Sequence, residues 1–443
     1  MPENSRESIA VVGGGITGVA ASIELAKSQR FQVTLLEKET RLGGLSSSYR
    51  WQDTVCDRFY HVILPTDACL LEFLRDLGLE SQLFWKRTRS GFYGDRGLTS
   101  FASAVDFLRF PYLSFFQKIR LGLGIFRSSS IKDLSAVDGL TAPEWLNRMF
   151  GPKVYAQFWE PLLLTKFGGA EKRLSASLVG AIIKRLYAAR GSADKQERMG
   201  HVHGGYQKIW NAARHRLCQL DVTVRARTPV IHASIHAADN EKNRLSLTTS
   251  SGTEYYDKLL FTIPTPEILK TMPQNAHPFR NETARVEYIG VICVLLILRR
   301  SLSPYYVINL LDRELPFTGI IESTNVIPPE ETGGRHLIYL PKYLTSGDPL
   351  HNLDDDDIVR LFLEKLKSVF PELKTGDILH KTVFRSSYTQ PVQEPHRMED
   401  PIGARTLVSN VYLANSTQIL NTTLNNDAAV SVAQTAAKKI VKE

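Results

Sequence analysis

The feature that most constrains this chain is a glycine turn close to its start. Ile9-Ala-Val-Val12 reads as a buried parallel strand, Gly13-Gly-Gly-Ile-Thr-Gly18 follows at once, and Val19 to Lys27 is helical in composition. Strand, glycine turn and helix in that order open a βαβ unit, and the glycine spacing has a mechanical meaning. Gly13 permits the tight turn, Gly15 lets backbone amides approach a pyrophosphate, and Gly18 lets the helix pack closely on the strand. Ile16 and Thr17 lie inside that turn, so the phosphates are expected at the helix N-terminus they form.

A second strand, Gln32 to Leu36, follows and ends in Glu37, about 20 residues past the turn, where a carboxylate holds adenosine ribose hydroxyls. A solvated charge at a strand end is the alternative reading of Glu37. The complete βαβ context makes dinucleotide binding the expectation, with Lys38 beside the ribose site.

Immediately downstream, Lys38-Glu-Thr-Arg-Leu-Gly-Gly-Leu45 resembles the extended FAD fingerprint. It is similar to the start of flavin amine oxidases, protoporphyrinogen oxidases, phytoene desaturases and UDP-galactopyranose mutases. The resemblance implies that Gly43 and Gly44 approach the flavin side of the cofactor, with Leu45 and Ser46 next to them. Asp57-Arg-Phe-Tyr-His-Val62, Lys166-Phe-Gly168, His203-Gly-Gly-Tyr206, Thr228-Pro-Val230 and Tyr388-Thr-Gln-Pro-Val392 continue it in the order of the protoporphyrinogen oxidase-like branch. Val411-Tyr-Leu-Ala-Asn-Ser416 looks like the last FAD-contacting strand, so Val230 and Asn415 join the expected cofactor contacts. Two departures stand out: Ala414-Asn415 replaces the usual Gly-Asp, and Leu45 replaces a frequent Arg. Asn415 brings no carboxylate and Leu45 removes a cation, which implies weaker cofactor retention.

The implied fold is α/β: a Rossmann-type FAD-binding domain interleaved with an α+β substrate domain, as in amine oxidases. The FAD-binding domain is expected at 1–66, 198–265 and 393–443. A helical part of the substrate domain is expected at 67–197 and a sheet part at 266–392, where Val286 to Leu298 and His336 to Leu340 read as strands.

Composition bounds the rest. The 443 residues, 43% of them hydrophobic, suffice for two or three domains. The longest apolar run, Ile289 to Leu298, is about half the ~20 residues of a membrane-spanning helix and reads as a strand. The polar start lacks the features of a signal peptide, and four scattered cysteines form neither a zinc pattern nor a disulfide framework, so a cytoplasmic setting is expected. A net charge of +8 suits an anionic partner, a membrane surface or simply a basic protein; no nucleic acid is expected. Phe101 to Lys132 alternates aromatic and basic residues; the preferred reading is a core helix pair with basic outer faces, and peripheral membrane contact is the other. Asp354-Asp-Asp-Asp357 precedes an apolar-periodic stretch and suits a helix N-terminus better than a metal site.

A flavin carries out hydride transfer itself, so few side chains need be catalytic. His61 is the first candidate, able to exchange a proton near neutral pH, against its reading as a hydrogen-bonded structural residue. Tyr343, Gln390, Lys166 and Lys342 are further lining candidates. Glu287 to Leu298 lacks the lysine that amine oxidases carry there, and no cysteine follows Cys293, so the resemblance implies non-covalent FAD and a reaction other than amine oxidation. The expected activity is a dehydrogenase or desaturase taking two electrons from an apolar or lipid-linked small molecule. The alternative is a UDP-galactopyranose mutase-like isomerase, which clustered arginines such as Arg299, Arg300 and Arg313 would support. A binding protein with little cofactor ranks third.

Overall fold

The computed structural model describes residues 6–188, 197–236, 244–272, 286–396, 403–420, 422 and 424–443. Glu7–Val12 forms β1 at the centre of a five-stranded sheet. Its neighbours are β2 (Phe31–Leu36), β9 (Thr223–Arg225), β13 (Lys258–Phe261) and β19 (Val411–Leu413), in the order β19-β13-β1-β2-β9. All four pairings are parallel, so the sheet is assembled from three distant stretches of chain.

Parallel strands of this kind are apolar on both faces because both are covered. On one face, α1 (Ile16–Lys27), α2 (Ala68–Asp76), α8 (Gly205–Gln219) and α11 (Asn426–Lys442) bury Val19, Leu70, Ile209 and Val430 against Ile9, Val11, Val33 and Leu35. On the other, an antiparallel sheet of β10 (His232–His236), β11 (Arg244–Thr249) and β12 (Gly252–Tyr256) sets Ala233, Leu245 and Leu247 on Ala10, Val12 and Leu36. The helix α9 (Thr265–Thr271) follows β13 and packs Ile268 into the same layer.

A second, seven-stranded sheet is built around β14 (Tyr288–Leu298), every residue of which is buried. Its order is β18-β14-β17-β16-β15-β6-β7, with β6 (Ser90–Gly94), β7 (Gly97–Ser100), β15 (Val307–Leu310), β16 (Gly319–Glu322), β17 (His336–Leu344) and β18 (Ile378–Pro391). Alternation with period two explains the unbroken apolar run. Ile292, Val294, Leu296 and Leu298 face α10 (Asp355–Val369), whereas Val291, Cys293, Leu295 and Ile297 face Tyr306, Tyr339 and the Phe59-Tyr60 segment. That segment follows the hairpin of β3 (Ser48–Trp51) and β4 (Thr54–Asp57). Asp354 caps α10 by accepting the Asp357 amide, and its acidic first turn suits the helix dipole. No grouping able to hold a metal ion occurs among the described residues.

Two expectations need correction. The stretch from 83 to 100 is not helical: β5 (Leu83–Arg87) pairs with β8 (Arg198–Val202), and β6 and β7 extend the large sheet. Gly94 and Gly97 give β6 and β7 their tight hairpin, a punctuation stronger than the helical periodicity around it. Nor is Phe101 to Lys132 simply a core pair. The helices α3 (Ala104–Arg109) and α4 (Phe115–Ser129) lie on a bundle of α5 (Ala142–Phe150), α6 (Glu160–Phe167) and α7 (Ala176–Ala188), with Phe110, Leu113 and Leu121 buried. Leu108, Phe115 and Phe116 instead stand in solvent, Phe116 at 81% exposure. The reason is that α4 meets the bundle through Leu121, Gly124 and Ser128; a methyl group on Gly124 would sit 2.3 Å from the Phe150 ring.

Candidate functional site

The site begins at the turn between β1 and α1. Gly13 has φ +111°, a conformation that suits glycine, and a Cβ there would lie 2.7 Å from Thr262 Oγ1. A Cβ on Gly18 would come within 1.8 Å of the Gly13 carbonyl oxygen, so the first turn of α1 sits directly on the loop. Gly15 differs, because a Cβ there would meet nothing nearer than Gly44 Cα, at 4.0 Å. That side of the turn is open. The N-terminus of α1 has no side-chain cap and no acidic residue in its first turn, so the amides of Ile16 and Thr17 are presented to an anion.

The paired glycines lie beside this opening. Gly43 donates its amide to the Gly14 carbonyl at 2.8 Å and pairs with Gly15 in an isolated bridge, while Gly44 faces Gly15 and is exposed. Glu37 is buried, which excludes the solvated strand-end reading: Oε2 accepts the Gly14 amide at 2.6 Å and Oε1 the Glu39 amide at 2.7 Å. Each oxygen retains a lone pair for a ribose hydroxyl. The Thr228 amide donates to the Glu37 carbonyl oxygen, bringing Thr228-Pro-Val230 alongside, with Val230 half-buried; Lys38 points to solvent. The chain therefore supplies, in sequence along one track, a carboxylate, an uncapped helix N-terminus and a glycine cradle. These are the donors and spaces an adenine dinucleotide needs.

Beyond the cradle the track reaches Ser46. Ser46 Oγ donates to Asn426 Oδ1 at 2.9 Å and lies 3.3 Å from His61 Nε2, while Asn426 Nδ2 donates to the Tyr206 hydroxyl at 2.6 Å. Trp210 Nε1 donates to the Ser46 carbonyl, which fixes this corner onto α8. Leu45 is half-buried beside it. His61 Nδ1 is 2.8 Å from the Phe59 carbonyl and donates to it, leaving Nε2 with its lone pair. Burial pushes the His61 imidazole down to about 4, so it is neutral at pH 7.

His61 also lines a small cavity between α8 and the seven-stranded sheet, about 30 Å³ in volume, room for one or two water molecules. Asp57, Tyr60, Tyr206, Tyr306 and Tyr339 share its wall with Met199, Ile209 and Val326, and with His201, whose Nε2 lies 2.9 Å from Glu331 Oε2. Burial pushes the Asp57 carboxyl up to about 8, against the stabilising Tyr206 amide at the start of α8, so at pH 7 it is largely protonated. Tyr343 adjoins this wall through Tyr60, whose hydroxyl is 3.1 Å from its own. Gln390 is buried opposite Ile289, on the same face of β14 as Tyr343 opposite Val291, and its Nε2 has no hydrogen-bond partner among the described residues.

Other candidates lie elsewhere or are already engaged. Lys342 sits on the opposite face of β17, beside Leu340 and Leu344 against α10, because strand residues alternate. Asn415 is fully occupied: Nδ2 donates to Ile263 O and Thr265 Oγ1, and Oδ1 accepts from the Thr417 amide and hydroxyl. It clamps the C-terminal loop onto the end of β13 and has no capacity left for a ribityl hydroxyl. Lys166, near the end of α6, is exposed to solvent. Sequence reasoning missed Asp57 and the tyrosines 60, 206, 306 and 339 as a lining set. Asp57, Tyr60 and Tyr206 lay within motifs noted for family resemblance, but Tyr306 and Tyr339 carry no local signal.

The family model for flavin containing amine oxidoreductase matches residues 16–441, so the chain belongs to that family. Membership of this flavin-containing family makes FAD its cofactor. It is 24% identical over 299 residues to protoporphyrinogen oxidase 2 of Arabidopsis thaliana, covering 59% of this chain and 58% of the plant protein. The match thus spans less than two thirds of that relative. A solved structure from Exiguobacterium sp. 255-15, with a provisional protoporphyrinogen oxidase assignment, superposes with a TM-score of 0.77 at 18% identity over 99% of both chains. Reduced UDP-galactopyranose mutase gives a TM-score of 0.70 at 14% identity, covering 98% of this chain and 94% of the other. These structural likenesses establish the shared fold.

Proposed function

We propose that the protein is a dehydrogenase or desaturase that removes two electrons from an apolar small molecule, using non-covalently held FAD. The observation that carries this reading is the wall of the cavity: a tyrosine cluster with apolar neighbours, in which Asp57 and His61 are both held in their neutral forms at pH 7. With these groups uncharged, the wall would cost little to desolvate once the cavity widened to admit an apolar substrate.

Bound FAD would supply the hydride acceptor. This chain's residues would do the rest. Glu37, the α1 N-terminus and Gly43-Gly44 would hold the dinucleotide, while Tyr60 and Tyr343, their hydroxyls in contact, would orient the substrate. Loss of a hydride from one carbon leaves a proton to be taken from its neighbour, and Nε2 of neutral His61, beside Ser46, would be the base that takes it. The products are a substrate with one more double bond and a reduced flavin, which an external electron acceptor must reoxidise.

The isomerase reading loses its main support. Arg300 pairs with Asp377, Arg313 with Glu160, and Arg299 donates to the Gly376 carbonyl, all at the surface. None of the three lines the cavity. Turnover measured with and without an electron acceptor tests the proposal: product must form only when an acceptor is present. Interconversion of UDP-sugars with no acceptor would support the isomerase instead.

A further inference from the structure

The exposed face of α3 and α4 plays no part in the cofactor track or the cavity. In α4, Phe115, Phe116, Ile119, Leu123 and Phe126 are all exposed. At 3.6 residues per turn these five fall within an arc of about 100° on one side of the helix. Leu121, Gly124 and Ser128, which seat α4 on the bundle, occupy the other side. Val105 and Leu108 of the neighbouring α3 are exposed as well, and α3 is tied alongside α4 by Lys118 Nζ donating to the Leu108 carbonyl at 2.6 Å. Solvent-facing aromatic residues in such number are not a surface that a monomer presents without use.

The charges around the stripe say what covers it. The same wheel puts Arg120 and Arg127 along one border and Lys118 along the other, and α4 contains no acidic residue. The flanking acids are turned away into local caps: Asp106 accepts from Ser100, Ala102 and Ser103, and Asp133 from Ser135. A central apolar stripe with cations on both borders matches an anionic bilayer surface, where side chains such as Phe enter the acyl boundary and Lys or Arg meet the headgroups. It does not match a second copy of this chain, because a two-fold contact would bring the cationic borders together in a protein of net charge +8.

We infer that the α3–α4 face docks the enzyme in the plane of a membrane containing anionic lipid. It lies on the surface without crossing it, consistent with no described helix being long and apolar enough to span a bilayer. This docking stands on the surface residues alone and does not depend on the identity of the substrate.

The test is co-sedimentation of the flavin-loaded protein with phosphatidylcholine vesicles prepared with and without phosphatidylglycerol. Wild type is expected to sediment with the anionic vesicles and to be released by high salt. A variant carrying Phe116→Ser and Phe126→Ser should bind about tenfold more weakly or less, and Arg127→Glu should weaken binding chiefly at low salt. Both must keep the flavin absorbance and melting temperature of wild type, as expected for solvent-facing positions. Wild type remaining in solution with both vesicles overturns the inference, as does equal binding by the double serine variant or binding that ignores phosphatidylglycerol. So does a wild-type dimer, detected by light scattering, that the serine variant dissolves without any lipid binding, since the face would then belong to a second copy.

Discussion

Replacing Asp57 by Asn should change how stability depends on pH, and the sign follows from the structure. The folded Asp57 carboxyl is raised from 3.8 to about 8, because burial disfavours its charged form. The folded state therefore holds this proton more tightly than the unfolded chain does. Its contribution is fully present below about pH 4 and is lost as pH rises towards about 8, where the folded protein must also ionise the group. At 1.36 kcal/mol per unit, a shift of this size sets a ceiling of about 6 kcal/mol. Asp57 retains some accessible surface on the cavity wall, so solvent screening reduces the expected loss to about 2 to 3 kcal/mol. The substituted amide has no such proton. In urea denaturation of both proteins across that window, wild type should lose stability relative to Asp57→Asn by that amount as pH rises. The amide adds an offset of its own, but an offset independent of pH, so the difference in slope is the readout. Parallel pH profiles for the two proteins would refute the claim that Asp57 is buried in its neutral form.

Other outcomes follow from the same geometry. Gly18→Ala places a methyl group against the Gly13 carbonyl and should cost about 1 to 3 kcal/mol and strip flavin from the purified protein, seen as a lower melting temperature and lost visible absorbance. Glu37→Ala removes a carboxylate that accepts two backbone amides and should weaken FAD binding by at least about tenfold in a fluorescence titration, with the fold retained by circular dichroism. With the imidazole already held down to about 4, the rate profile should show no inflection from His61 between about pH 6 and 7, whereas His61→Phe should slow flavin reduction by about a hundredfold if Nε2 takes the substrate proton. Arg299→Ala and Arg300→Ala should leave turnover unchanged, since both side chains are spent on the surface near residues 372 to 377.

The nucleotide end of the site was legible because its constraints are local. Gly18 meets the Gly13 carbonyl within the same loop, and Glu37 reaches the Gly14 amide because β1 and β2 pair within one βαβ unit. The substrate end was not. Tyr306, just before β15, and Tyr339, in β17, reach the cavity only because β15, β16 and β17 pair within a sheet that also recruits β6, from more than two hundred residues earlier. Lys342 and Tyr343 are neighbours in sequence, and only the register of β17 decides that the second lies on the side of the sheet where it meets Tyr60. The aromatic stripe of α4 shows the same limit. Helical periodicity correctly makes one face apolar, but whether that face meets the bundle or the solvent depends on which residues permit close approach, and Gly124 chose the opposite side.

The most direct test of the central claim is anaerobic mixing of the purified, FAD-loaded protein with candidate apolar substrates, followed by the visible absorbance of the flavin. One equivalent of substrate should bleach the blue absorbance band, an added electron acceptor should restore it, and the product should carry one additional double bond. Steady product formation with the flavin spectrum unchanged and no acceptor present would contradict the claim.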